Sequence, residues 1–390
     1  MTYKDFLATI DGYYQKIGLE KWPAAPSFHD GFPGNFNLSL SEYEFLNQNE
    51  DFFNLKKDMV YVKNQPCIRH NDFSHIDNPN GDSYRYLLRF TMAPVGGIVW
   101  KKDISLKEKE TKKAIFNLLN FLTNECNLDK NKIYIQYLKS DKIKVLTEGK
   151  YDFNCQIPND PNLKYYLDFG IPKNNFIPIS NRDGLLALNV YGRPTPWGYR
   201  NEIFYDYNGK LLDIATFDSL VFQPILDQQN KIINLKLYPY TLVVGAIGVE
   251  RLLMILNGFK DINDIDLINE PAVVLRPYTD PRSAKQLVQT LRAIQLIIAD
   301  GGWYKNLGKR RREKMRDFYK FIQKITENNK IPVEVLGKVL VQVADLEPNL
   351  PQLEKAIDDT ILEYERHKLR MKYIHSWQEH LDELPKNQLF

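Results

Sequence analysis

The stretch Cys67-Ile68-Arg69-His70-Asn71-Asp72-Phe73-Ser74-His75 lies between two runs rich in β-branched and aromatic residues, Met59 to Lys63 and Tyr84 to Met92. Each run reads as a short strand. The polar turn from Asp77 to Asp82, which contains Pro79 and Gly81, lets the chain reverse between them. The whole segment is therefore strand, polar loop, strand.

The same reading extends outward. Lys132 to Lys139 alternates like a strand, Asn201 to Tyr207 and Ser219 to Gln223 are further strands, and Val243 to Leu256 reads as a buried helix or a strand running into one. Helical spacing joins Phe6, Ile10, Tyr13, Tyr14 and Ile17, closed by Gly18, and recurs at Ala114, Leu118, Leu119 and Leu122 within Ser105 to Leu128. Trp22 to Gly34, dense in Pro, Gly and aromatic residues, suits a structured loop. Strands separated by loops and only occasional helices lack the regular alternation that parallel crossovers require. The expected fold class is α+β, a mainly antiparallel sheet flanked by helices.

Pro271 to Pro281 carries three prolines, and the composition beyond it turns to long helical periodicity. This predicts a sheet domain over 1–270 and an all-helical domain over 271–390. A chain of 390 residues has room for both. The net charge of +3 does not announce a nucleic-acid binder, so an anionic partner must meet a local patch. Cys67, Cys126 and Cys155 lack metal-ligand spacing and read as inert thiols of a reducing compartment. With no leader pattern and no membrane-length apolar run, a cytoplasmic enzyme with no membrane partner is expected.

Two segments stand out chemically: Arg69 with His70, Asn71 and Asp72, and Gly245-Ala246-Ile247-Gly248-Val249-Glu250-Arg251-Leu252. Viewed alone, each arginine reads equally well as a paired structural charge or as a ligand-binding group. His70 and His75 make a poor zinc site without cysteines or carboxylates at ligand spacing, and no zinc is expected. His367, His375 and His380 fall in a charged terminal helix and read as surface residues.

Taken together and in order, these segments resemble alanyl-tRNA synthetase, a class II aminoacyl-tRNA synthetase, along nearly the whole chain. Cys67-Ile68-Arg69 and His70-Asn71-Asp72 carry the letters of the family's second motif, without the few residues that separate the halves there. Ala246 to Leu252 resembles the third-motif run Gly-x-Gly-Leu-Glu-Arg-Leu, with Ala246 for the first glycine. Leu167-Asp168-Phe169-Gly170-Ile171, Asn201-Glu202-Ile203-Phe204-Tyr205-Asp206, Leu220-Val221-Phe222 with Gln223, Ile298-Ala299-Asp300-Gly301 and Asn306-Leu307-Gly308-Lys309-Arg310 are similar to further family segments.

The resemblance implies ATP-dependent formation of an aminoacyl-adenylate and its transfer to tRNA. Arginine fits the first step, because its planar fork stays charged and binds two phosphate oxygens. Arg69 would hold the α-phosphate and the incoming carboxylate, and Arg251 the γ-phosphate and adenine. His70, Asn71, Asp72 and Gly248 would complete the ATP site, with Glu202 a ligand of the Mg2+ that screens the phosphates. For Glu202 a plain structural ion pair remains open. The basic run Lys305, Lys309, Arg310, Arg311, Arg312, Lys314 and Arg316 would grip tRNA phosphates.

Departures cluster at the amino-acid pocket. Val244 stands where the family keeps an aspartate for the substrate ammonium, and Asp218 and Ser219 replace a tryptophan-asparagine pair. Neither the editing domain nor the C-terminal domain of the family is matched. Three functions follow: a compact synthetase charging tRNA, a relative passing an activated amino or carboxylic acid to a carrier protein or metabolite, and a non-catalytic tRNA-binding module.

Overall fold

A computed structural model describes residues 1–30, 36, 58–76, 83–99, 103–139, 143–147, 151–155, 158–180, 182–187, 196–229 and 232–383. The turn read over Asp77 to Asp82 and the end of the loop at Gly34 lie outside these residues. The chain divides into two units. One comprises Met1–Phe32, Asn37–Cys67 and Phe90–Ile262, the other Pro33–Phe36, Ile68–Arg89 and Asn263–Phe390.

The first unit opens with helix α1 (Tyr3–Lys16). The Thr2 hydroxyl accepts from the Asp5 amide while the Asp5 carboxylate accepts from that of Thr2, a capping box that satisfies two amides the helix cannot. Gly18, at φ 96°, follows the last turn where a side chain would be strained. The strands are β1 (Glu20–Lys21), β2 (Met59–Val62), β3 (Gln65–Ile68), β4 (Arg89–Val99), β5 (Ile133–Leu138), β6 (Ile143–Thr147), β7 (Tyr151–Cys155), β8 (Phe176–Ile179), β9 (Leu185–Ala187), β10 (Trp197–Tyr207), β11 (Lys210–Leu226) and β12 (Ile232–Gly248). The main sheet runs β1-β2-β4-β12-β11-β10-β5-β8, with β3 beside β4 and β9 beside β10. The pairs β2–β4, β4–β12, β12–β11, β11–β10, β10–β5 and β10–β9 are antiparallel, and β1–β2 and β5–β8 are parallel. The α+β reading holds.

Helices α2 (Ile104–Asn120) and α3 (Leu163–Phe169) belong to this unit, as does α4 (Val249–Leu256), which continues directly from β12. The predicted strand at Tyr84 begins later, at Arg89. Ser83–Arg85 forms a turn of 3-10 helix, and Tyr86 instead stacks on His75 at 4.6 Å between centroids. The aromatic pattern there reports ring packing, which period-two alternation does not distinguish from strand pairing.

One face of the sheet packs on α2. Gly245 sits on that face, and a β-carbon there would come within 3.0 Å of both Leu118 and Val95. Its smallness admits helix side chains. The opposite face carries the apolar cluster of Ile98, Leu220, Tyr238, Tyr240, Leu242, Val244 and Ala246.

The second unit contains α5 (Asp266–Val273), α6 (Pro281–Ala299), α7 (Lys309–Asn328), α8 (Val333–Leu346) and α9 (Ile357–Glu383). Asp280 caps α6 by accepting from the Arg282 and Ser283 amides, with Pro281 in the first turn where its missing N–H costs nothing. This unit also takes in the segment Ile68–Arg89, which a boundary drawn along the sequence does not anticipate. At its centre Glu347 accepts from Arg89 and Arg292, all three almost wholly buried.

His367 is corrected from surface to core. It is 3% exposed and stacks on Tyr319 at 5.1 Å, because the α9 face that carries it packs on α7. Burial, then the cations Arg370, Lys320 and Arg316, push its pKa down to about 4. The side chains of His375 and His380 lie outside the described residues. Cys67 and Cys126 are buried free thiols, and burial pushes that of Cys126 up to about 12, so it stays protonated.

Candidate functional site

Strand register decides which side chains share a face, since successive residues alternate. Arg200 on β10 pairs with Asp218 on β11, Asp218 with Val244 on β12, and Val244 with Gly96 on β4. A second row, Glu202, Thr216, Ala246 and Pro94, runs beside it on the same face. Asp218 therefore stands directly beside Val244 and not on the far side of the sheet. Ser219 falls on the far side, paired with Val243.

A bulge extends this polar group. Ile203 pairs with Ala215 but Phe204 with Asp213, so Ile214 is an extra residue on β11 and Asp213 turns to the face of Glu202. There it meets Arg251, which forms an ion pair with the Asp213 carboxylate and donates to the Asp213 carbonyl at 2.9 Å. Gly248 starts α4, and a β-carbon there would stand 3.3 Å from the Ile214 carbonyl oxygen. Backbone at the bulge and the strand-to-helix turn thus approach closely.

The two charged residues of the Glu250-Arg251 step do different work. Glu250 is buried, and both its carboxylate oxygens accept from the Thr91 amide, at 2.9 and 2.8 Å, tying α4 to β4. Arg251 pairs instead with Asp213. Within the polar group the Arg200 Nε donates to Asp218 at 3.1 Å and lies 3.9 Å from Glu202, and the Thr216 hydroxyl donates to Glu202 at 2.8 Å. Burial raises the Glu202 pKa, with Asp218 and Asp213 adding to the rise while Arg200 and Thr216 oppose it. Two guanidinium groups and three carboxylates share one face around a small-residue, apolar floor. Such a face presents side chains of both signs of charge.

Arg200, Asp213 and Thr216 were not singled out from the sequence. Arg200 and Glu202 at i and i+2 mark one face of a strand, and that signal was readable. Asp213 was not, because the bulge that turns it has no sequence signature here.

Arg69, His70, Asn71 and Asp72 belong to the second unit. Arg69 is exposed, its amide donating to the Leu88 carbonyl at 3.0 Å, and the Asp72 amide closes a turn onto the Arg69 carbonyl. His70 Nε2 lies 3.4 Å from Asp317 on α7. Burial and Lys314 lower the His70 pKa while Asp317 opposes the fall.

Of the basic run, Lys305, Lys309, Arg310, Arg312 and Arg316 are exposed. Arg311 is 4% exposed, a correction to the expected surface cation: it falls on the packed face of α7 with Met315 and Phe318. Lys320 and Lys324 continue the exposed spacing of Arg312 and Arg316 along the helix.

Among the described residues no helix is long and apolar enough to cross a membrane. No group of three His, Cys, Asp or Glu side chains there is placed to hold a metal ion.

No protein-family model matches the chain. Among solved structures it is similar to PylSc of Desulfitobacterium hafniense, a pyrrolysyl tRNA synthetase, with a TM-score of 0.34 and 10% identity over 67% of this chain and 71% of that one. A second structure of pyrrolysyl-tRNA synthetase from Desulfitobacterium hafniense gives a TM-score of 0.31 and 9% identity over 68% and 72%. Likenesses at these TM-scores assign neither activity nor substrate to this chain.

Proposed function

We propose that this protein activates a carboxylic acid with ATP, forming an acyl-adenylate, and transfers the acyl group to tRNA. The observation that carries this reading is that Arg251 pairs with Asp213, whose carboxylate lies on the sheet face that also carries Arg200, Glu202, Thr216 and Asp218. In such a reaction a carboxylate oxygen attacks the α-phosphorus, the bond to the bridging oxygen breaks, and pyrophosphate leaves. Negative charge gathers on phosphate oxygens, and fixed guanidinium groups stabilise it without reorganising. Arg251, held by Asp213, meets that requirement. Arg69, in an exposed loop of the second unit with His70, Asn71 and Asp72, is assigned a phosphate-binding role from its motif alone.

Mg2+ takes one or two carboxylates together with phosphate oxygens and water. Glu202 alone is the carboxylate proposed for such an ion, which would screen the phosphates.

A second reading of the acid is favoured by the Arg200–Asp218 pair. A substrate ammonium must find an acceptor or opposite charge when buried, and the carboxylate beside Val244 is already engaged by Arg200. The substrate is thus an acid other than free L-alanine, and the acceptor a tRNA, or in the alternative a carrier protein or metabolite. Exchange of pyrophosphate into ATP, run across a panel of amino and related carboxylic acids, tests this. No exchange with any acid refutes adenylation, and highest exchange with alanine refutes the pocket reading.

A further inference from the structure

In the second unit, the segment that carries Arg69 is tied to α6 at residues 76, 88 and 89, its base, and to α7 at residues 70 and 73, its tip. At the base, the Leu88 amide donates to Gln289 at 3.0 Å, Gln286 donates to the Ile76 carbonyl at 2.7 Å, and Arg89 is buried against Arg292 and Glu347. Gln286, Gln289 and Arg292 all belong to α6. At the tip, the partners come from α7 instead. The Phe73 ring meets Phe318 and Phe321 edge-on at 5.1 and 5.2 Å, and His70 lies against Phe318 at 5.6 Å and Asp317 at 3.4 Å.

Helical spacing puts Asp317 and Phe321 in one row with Lys314 and Arg310, one and two turns back. The exposed cations Lys309, Arg312, Arg316 and Lys320 occupy the neighbouring row. Lys314, half-buried beside Arg310 and Arg311, has its pKa lowered by burial and then by these two neighbours, a concentration of charge that a bound anion relieves. An anion at Arg310 and Lys314 would therefore sit one turn from the residues that touch His70 and Phe73.

We propose that Phe73, Phe318, His70 and Asp317 are positioning residues that transmit the docking of an RNA phosphate backbone on α7 to the Arg69 turn. The proposal rests on the RNA-binding part of the function above. RNA seated on the cations of α7 steadies that helix surface, the contacts of His70 and Phe73 carry the effect to the turn, and Arg69 is held more firmly when acceptor RNA is present.

The amide of Asp72, which closes the turn onto the Arg69 carbonyl, reports the state of the tip in hydrogen exchange. The full chain is measured with and without a short RNA hairpin ending in a single-stranded 3′ extension, and hairpin affinity is measured in parallel against salt. In the wild type, the hairpin is expected to slow exchange over residues 69–76 by about fivefold to tenfold, the scale of one or two aromatic contacts. In Phe73→Ala and Asp317→Asn the hairpin should bind with the same salt slope while that slowing is lost, and Asp317→Glu should restore it. Binding with equal slowing in wild type and variants, or with none in the wild type, overturns the proposal alone. Absence of binding overturns it together with the RNA-binding reading.

Discussion

Removing the charge of Glu347 is expected to loosen the second unit more than any other single isosteric change. Glu347 is 0% exposed and lies between two arginines that are each 1% exposed. One carboxylate oxygen accepts from Arg89, and the other accepts from the Arg292 Nε at 3.2 Å and lies 3.2 Å from its Nη2. Each guanidinium also donates to the other's backbone carbonyl, at 3.0 and 3.3 Å, so the arginines cannot separate without breaking main-chain contacts. In Glu347→Gln the shape is kept, but two cations stay buried without the anion between them. Breaking a buried ion pair in this way costs about 3 to 5 kcal/mol. The solvent-screened pair Lys285–Asp264 should contribute about 0 to 1 kcal/mol, so Asp264→Asn serves as the control. With two units the chain need not unfold in one step, so amide exchange in α6 is the assay. Exchange there should quicken by about two to three and a half orders of magnitude in Glu347→Gln, at about 1.4 kcal/mol per tenfold. Exchange within about threefold of the wild type would show that the triad does not hold this unit together.

Arg251→Ala and Arg69→Ala should each slow pyrophosphate exchange by a barrier of about 2.7 to 4 kcal/mol, and unchanged rates in both would refute the phosphate roles. Asp218→Ala should raise the Michaelis constant for the acid and leave that for ATP unchanged, whereas a parallel rise in both would place Asp218 outside the acid pocket. Reversing three charges among Arg310, Arg312, Arg316 and Lys320 should weaken hairpin binding and flatten its salt slope, and an unchanged slope would mark a merely solvated helix face. Acid should act oppositely on the two units. The His367 pKa is about 4, below the unfolded 6.5, so stability present above pH 6.5 is lost as pH falls toward 4, by up to about 3 kcal/mol. Burial lifts Asp160 in the first unit to about 6, above its unfolded 3.8, so its contribution is full below pH 3.8 and lost as pH rises through 6. Exchange followed from pH 6.5 to 4 should quicken in α7 and α9 and slow around Asp160, and slopes of one sign in both would refute these environments.

The strand patterns from Lys132 to Val244 and the helical periodicities beyond Pro281 are local, and local spacing was enough to read an antiparallel sheet followed by helices. Arg69 and Arg251 were singled out through a family resemblance carried by short local motifs, and their phosphate roles remain part of the proposal. The sequence also showed Val244 where a carboxylate was expected, but could not say which side of the sheet Asp218 faces. Tertiary structure decided that, because facing depends on register and on the bulge at Ile214, and a one-residue slip inverts every side chain. It also decided that Ile68–Arg89 joins the helical unit and that His367 and Arg311 are buried. These outcomes depend on partners far along the chain, Glu347 for Arg89 and Tyr319 for His367, and no local pattern encodes which distant residue will cover a given face.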